Sequence, residues 1–143
     1  MTKRYYQKSL KFDVLARIQS LPGHVVLRKE LIDMGGSRQI TRCLKDLVEM
    51  GKLIKMGYGV YAKAYTSEFV DRPIIEGGFE QACQESLTKL GVKWQQGQAA
   101  QAYNSGQSTQ VPVRMAVRLK SRLRRKLSYG NRTLIIEKGI NAK

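Results

Sequence analysis

The stretch VVLRKELIDMGGSRQITRCLKDLVEMGKLIKMGYGVYAK, residues 25–63, decides the fold. Two helical patterns flank Gly35 and Gly36. The first spans 28–34, with Leu27, Leu31 and Ile32 directed inward. The second spans 37–50, where Ile40, Cys43, Leu44, Leu47 and Val48 recur every three or four residues and so share one face at about 100° per residue. Ser37 stands where an N-cap belongs, its hydroxyl able to accept from the free amides of the first turn. Gly51 stands where a terminating glycine belongs, because glycine enters the left-handed region without a Cβ penalty. Strands are expected over 52–56 and 58–63, folded back at Gly57, Tyr58 and Gly59. Helix, tight turn, helix and two-stranded ribbon is the outline of a winged helix-turn-helix.

The outward face of the second helix carries Arg38, Thr41, Arg42, Lys45 and Glu49, with its cations in the first half. In helix-turn-helix proteins the N-terminal part of this helix enters the major groove, where an arginine fork can bond a guanine edge or a phosphate. Two arginines and a lysine outside a helix are more often a solvated face. The preceding helix, the Gly-Gly turn and the ribbon favour nucleic acid here. Arg38, Gln39, Thr41 and Arg42 are expected to read bases, and Arg28, Lys29, Ser37, Lys45, Lys55 and Tyr58 to hold the backbone. Lys52, Lys55, Tyr58 and Lys63 are expected to point outward from the ribbon.

Working outward, Leu10, Val14, Leu15 and Ile18 predict a helix over 7–21, ended by Pro22 and Gly23. Residues 24–26 suit a short first strand. His24 is the sole histidine and has no metal-binding partner pattern, so it reads as a loop residue. Residues 65–78 read as a connector with Arg72 and Pro73 in its middle. Phe79, Ala82, Cys83, Leu87 and Leu90 predict a helix over 76–90, with Glu76, Glu80 and Glu85 on a solvated face. A short helix follows over 97–103. Residues 114–120 alternate, with Met115, Val117 and Leu119 on one side and Arg114, Arg118 and Lys120 on the other, which is a strand with one basic face. Residues 123–129 fit a strand or a short helix, and 134–137 a final strand. The expected architecture is α+β: a winged helix-turn-helix over 1–64, a connector over 65–78, and a small basic domain over 79–143 with two helices on an antiparallel sheet.

The chain has 143 residues and a net charge of +15. That charge divides as +8 over residues 1–64, −2 over 65–113 and +9 over 114–143, so a polyanion touched in two places is expected. Arg114, Arg118, Lys120, Arg122, Arg124, Arg125 and Lys126 would supply the second backbone contact. Each neutralised phosphate of duplex DNA would add about −0.9 to the log–log salt slope. No apolar run approaches the ~20 residues of a membrane span, and the basic N-terminus lacks the apolar stretch of a secretory signal. A cytoplasmic location is expected. Cys43 and Cys83, far apart and outside any CxxC pattern, are expected to be reduced and buried, with no metal and no cofactor. One histidine, no paired carboxylates in an apolar setting and no glycine-rich phosphate loop argue against an enzyme.

Two motifs carry a resemblance. Gly51-Lys52-Leu53-Ile54 with Gly59-Val60-Tyr61 resembles a wing signature G-x-L-x-(x)-x-x-G-x-Y. Leu87-Thr88-Lys89-Leu90-Gly91, followed by AAQAYNSGQSTQVP over 99–112, is similar to a second-domain signature. Together, over about 8–138, they resemble the AbiEi-type antitoxins of type IV toxin–antitoxin systems and related plasmid- and phage-borne regulators. The resemblance implies a repressor that binds an operator near its own promoter, and a C-terminal domain that counters a nucleotidyltransferase toxin without a tight complex. The chain is shorter than the longer antitoxins, which leaves a solitary regulator as an alternative. Read by itself, 99–112 is a capped helix entering a strand, with Tyr103, Asn104, Thr109 and Gln110 as candidate partner contacts. RNA binding by 114–132 is a further alternative, weakened because Tyr129 is the only aromatic there. Binding as a monomer and binding as a dimer both fit.

Overall fold

Strand β3 (Val60–Ser67) is the axis of the protein. It pairs antiparallel with β1 (Val25–Leu27) on one edge and with β2 (Leu53–Gly57) on the other. Lys63 donates its N–H to the His24 carbonyl and accepts at its own carbonyl from the Glu76 N–H. Along that edge β1 therefore gives way to β4 (Val70–Ile75), which pairs with the second half of β3. The computed structural model describes residues 3–97, 106, 116–120, 123, 126–130 and 132–137.

Alternation along these strands sends side chains to two faces, and both are buried. One face presents Val26, Leu53 and Tyr61 to Val14 and Ile18 of α1 (Lys3–Ser20) and to Ile40, Cys43, Leu44 and Leu47 of α2 (Ser37–Glu49). The opposite face presents Val25, Leu27, Ile54, Met56, Val60 and Ala62 to Phe79, Ala82, Cys83 and Leu87 of α3 (Phe79–Lys89), and to Val117, Leu127 and Leu134 further on. The C-terminal elements are β5 (Trp94–Gln96), β6 (Ala116–Leu119), β7 (Ser128–Tyr129), β8 (Arg132–Thr133) and β9 (Ile135–Glu137).

This is an α+β chain with three α-helices among the described residues. α2 ends as expected: Gly51 takes φ +75°, Lys52 N–H donates to Leu47 O, and Gly51 N–H to Val48 O, closing the paired bonds of a Schellman cap. The chain also folds back between β2 and β3 as expected, with Gly59 at φ +69°.

Several expectations need correction. Residues 28–34 form two 3-10 turns, Arg28–Glu30 and Ile32–Met34. Leu31 N–H bonds to Arg28 O and Met34 N–H to Leu31 O, the i→i+3 pattern of 3-10 turns, and the Glu30 carboxylate caps the first of them at Leu27 N–H. The N-cap of α2 is Gly36, whose N–H donates to Gln39 Oε1 at 2.9 Å. The stretch 65–78 is mostly strand, because β3 continues through it and turns into β4. Pro73 is tolerated there on an edge strand, where no ladder N–H is needed. The C-terminal sheet is mixed: β6 pairs antiparallel with β5 but parallel with β9. The β7–β8 hairpin lies between them in sequence and returns the chain in the same direction. The helix expected over 97–103 lies outside the described residues apart from Gly97.

Both cysteines are free and buried, and burial pushes the Cys83 thiol up to about 12. No helix among the described residues is long and apolar enough to cross a membrane.

Because one sheet supports both layers, damage on the α3 side should be felt throughout. Leu87 is fully buried there, and Leu87→Ala is expected to cost about 2–5 kcal/mol. Far-UV circular dichroism and tryptophan fluorescence should still lose their signals in one coincident thermal transition. Separate transitions would show two independent units.

Candidate nucleic-acid interface

The outer face of α2 is built from its inner one. With Ile40, Cys43, Leu44 and Leu47 held against the sheet, Arg38, Gln39, Thr41, Arg42 and Lys45 all stand exposed. They do not stand equally free. Gln39 is engaged by the Gly36 N–H. The Thr41 hydroxyl donates to Ser37 O at 3.0 Å, a local bond inside the helix. Arg38, Arg42 and Lys45 have no hydrogen bond or ion pair among the described residues. The Arg38 and Arg42 side chains line a cleft of about 80 Å³ between α1 and α2, with Leu10, Gln39, Cys43 and Asp46.

The start of α2 is fixed from outside. Arg28 Nη2 donates to both Ser37 O (2.9 Å) and Ser37 Oγ (3.0 Å). Arg28 and Ser37, expected to hold phosphate, therefore hold each other, and only their remaining donors face solvent. Lys29 is exposed beside them. Lys55 is exposed on β2 and pairs in register with Tyr61, which places it on the α1–α2 side of the sheet. Tyr58 is 78 % exposed at the turn. Lys63 was expected to point outward. It is half-buried, and its Nζ donates to the Leu21 carbonyl at the end of α1.

The second basic region lies elsewhere. The layer that carries Arg118 and Lys120 covers the sheet face opposite α2. Arg118 is half-buried in β6, while Lys120 and Lys126 are exposed. The backbone of Lys126 approaches the N-terminal region: its carbonyl lies 2.5 Å from where a Gly57 Cβ would stand. Arg114, Arg122, Arg124 and Arg125 lie outside the described residues, as do Tyr103, Asn104, Thr109 and Gln110.

Three residues that the sequence reading did not assign to the site hold these parts together. Lys89 of α3 donates to Val25 O (2.6 Å) and to Glu30 Oε1 (2.9 Å), which also accepts from Leu27 N–H (3.0 Å). Glu85, expected on a solvated face, accepts the His24 backbone N–H at 2.7 Å. His24 thus serves at the edge of β1. Arg17 of α1 pairs with Asp33, and that bond holds the Asp33 carboxyl below its ordinary range.

Partial burial would raise the Glu30 carboxyl, but the Leu27 N–H, the Lys89 ammonium and the Lys29 charge outweigh it and hold it below 4.5. A carboxyl lowered on folding contributes stability above its unfolded pKa and loses it as pH falls through the folded value. Glu30→Gln is therefore expected to lower stability by about 1–2 kcal/mol at pH 7 and to shrink the gap to wild type as pH drops below 4.5. Urea unfolding at pH 7 and pH 3 checks this; a gap that widens in acid would contradict it.

Compared with family models, with curated proteins and with solved structures, the chain shows no match.

Proposed function

We propose that the N-terminal region, from α1 to β3, is a winged helix-turn-helix and that the protein is a sequence-specific repressor acting on double-stranded DNA. One observation carries this reading: Arg38, Arg42 and Lys45 stand free on the exposed face of α2, whose start is fixed by Arg28. Rigid placement matters because a loosely held helix would lose entropy on binding, whereas a preorganised one does not. Arg38 and Arg42 lie four residues apart, one turn along the helix, and reach neighbouring base edges of a major groove. Lys45 and Lys55, on the same side of the sheet, hold the phosphates together with the exposed Lys29, and Tyr58 at the turn plays the part of the wing tip. Gln39 and Thr41 serve the helix itself more than the bases. The wing and second-domain motifs support placing the protein with AbiEi-type regulators that bind an operator near their own promoter. Counteracting a toxin would then be a second role for the C-terminal layer.

A mobility shift on duplex from upstream of the protein's own coding region, against a scrambled duplex, tests the reading. A preference of about 10³ or more for the cognate duplex is expected. Arg38→Ala/Arg42→Ala should collapse that preference, since each good bidentate base contact is worth about 1–3 kcal/mol. Equal binding to both duplexes, unchanged in the double variant, would overturn it.

A further inference from the structure

A second feature lies on the other side of the sheet, away from α2. The last turn of α3 and the paired strands β5 and β6 enclose an open groove of about 480 Å³, lined by Thr88, Gly91, Val92, Lys93, Trp94 and Lys120. That volume falls within the roughly 300–1,000 Å³ of small-ligand sites. Among the described residues its two charged side chains are both cationic. Neither Lys93 nor Lys120 has a side-chain hydrogen bond or ion pair among the described residues, and both are exposed. They are brought together by the backbone, where Lys120 N–H donates to Lys93 O at 2.9 Å.

Between them sits Trp94, half-buried against the core and fixed in orientation. Its Nε1–H donates to Thr88 Oγ1 at 3.0 Å, and the Thr88 hydroxyl in turn donates to Gln84 O at 3.1 Å. An indole held in place, a concave wall and two free ammonium groups are the parts that bind a planar base with its phosphate. A duplex cannot use them, because its bases are already paired and stacked.

We propose that this groove binds an unpaired nucleotide of a single-stranded nucleic acid, with the base against Trp94 and the phosphate between Lys93 and Lys120. The site is independent of the α2 surface and does not rest on it.

Trp94 is the sole tryptophan of the chain, so fluorescence excited selectively at tryptophan reports on this groove. The full chain is titrated with oligo(dT), oligo(rU), a blunt duplex of equal length and inorganic phosphate. Saturable quenching is expected with at least one single strand, and much weaker quenching with duplex or phosphate. Which oligomer binds more tightly separates a DNA source from an RNA one. Lys93→Ala/Lys120→Ala should weaken the single-strand affinity about tenfold or more, while Arg38→Ala/Arg42→Ala leaves it unchanged. Trp94→Leu, followed by anisotropy of a labelled strand, should lose about tenfold, as removal of one stacked base contact does, with the thermal midpoint recorded as a fold control. Absence of quenching by both oligomers, equal quenching by duplex or by phosphate alone, or full affinity in the lysine variant would overturn the proposal.

Discussion

Tyr61 and Ala62 are neighbours on β3, point to opposite sides of the sheet, and are both buried. Everything else in the protein follows from that two-sided burial. A strand pair with one wet face could present a mobile wing. Here the sheet is roofed by α1 and α2 on one side and by α3 and the C-terminal strands on the other. The polar bonds that cross between them, Lys89 to Glu30 and Val25, and Glu85 to His24, are spaced along β1 and its 3-10 turn. They set the position of the segment that in turn holds the start of α2 through Arg28.

The same division separates the two basic regions. The sequence suggests one polyanion touched at both ends of the chain. The fold places the free cations of α2 on one side of the sheet, and Lys93 and Lys120 on the other, with Lys126 near the turn between them. A straight duplex lying along α2 would meet Lys55 and Tyr58 before anything in β6. The two proposed surfaces, each with its own kind of nucleic-acid ligand, would fit this placement better than one continuous track.

What could be read from residues alone was local. The period of Ile40, Cys43, Leu44 and Leu47, and the glycine after them, specify α2 and its inner face, because those signals sit within one element. The second strand of the 65–78 hairpin was hidden: Val70, Asp71 and Arg72 are exposed and Pro73 looks like a breaker, so nothing in the pattern marks an edge strand. The N-cap was misplaced by one because Ser37 resembles a cap, while the informative residue is Gln39, three after Gly36. Lys63 and Glu85 looked like solvated charges, and nothing in the pattern gave Lys89 a partner. Their partners lie 42, 61 and 64 residues away, a relation that no local spacing encodes. For the same reason Trp94 could not be joined to Lys120 until β5 and β6 were paired.

The account stands on the claim that the sheet divides the chain into a duplex-binding side and an opposite side. Amide hydrogen exchange of the full chain, with and without the cognate duplex, tests this most directly. Protection concentrated in residues 37–45 and 55–59, with 93–96 and 116–120 unchanged, is the predicted result. Protection confined to 93–96 and 116–120, with α2 unaffected, would contradict it.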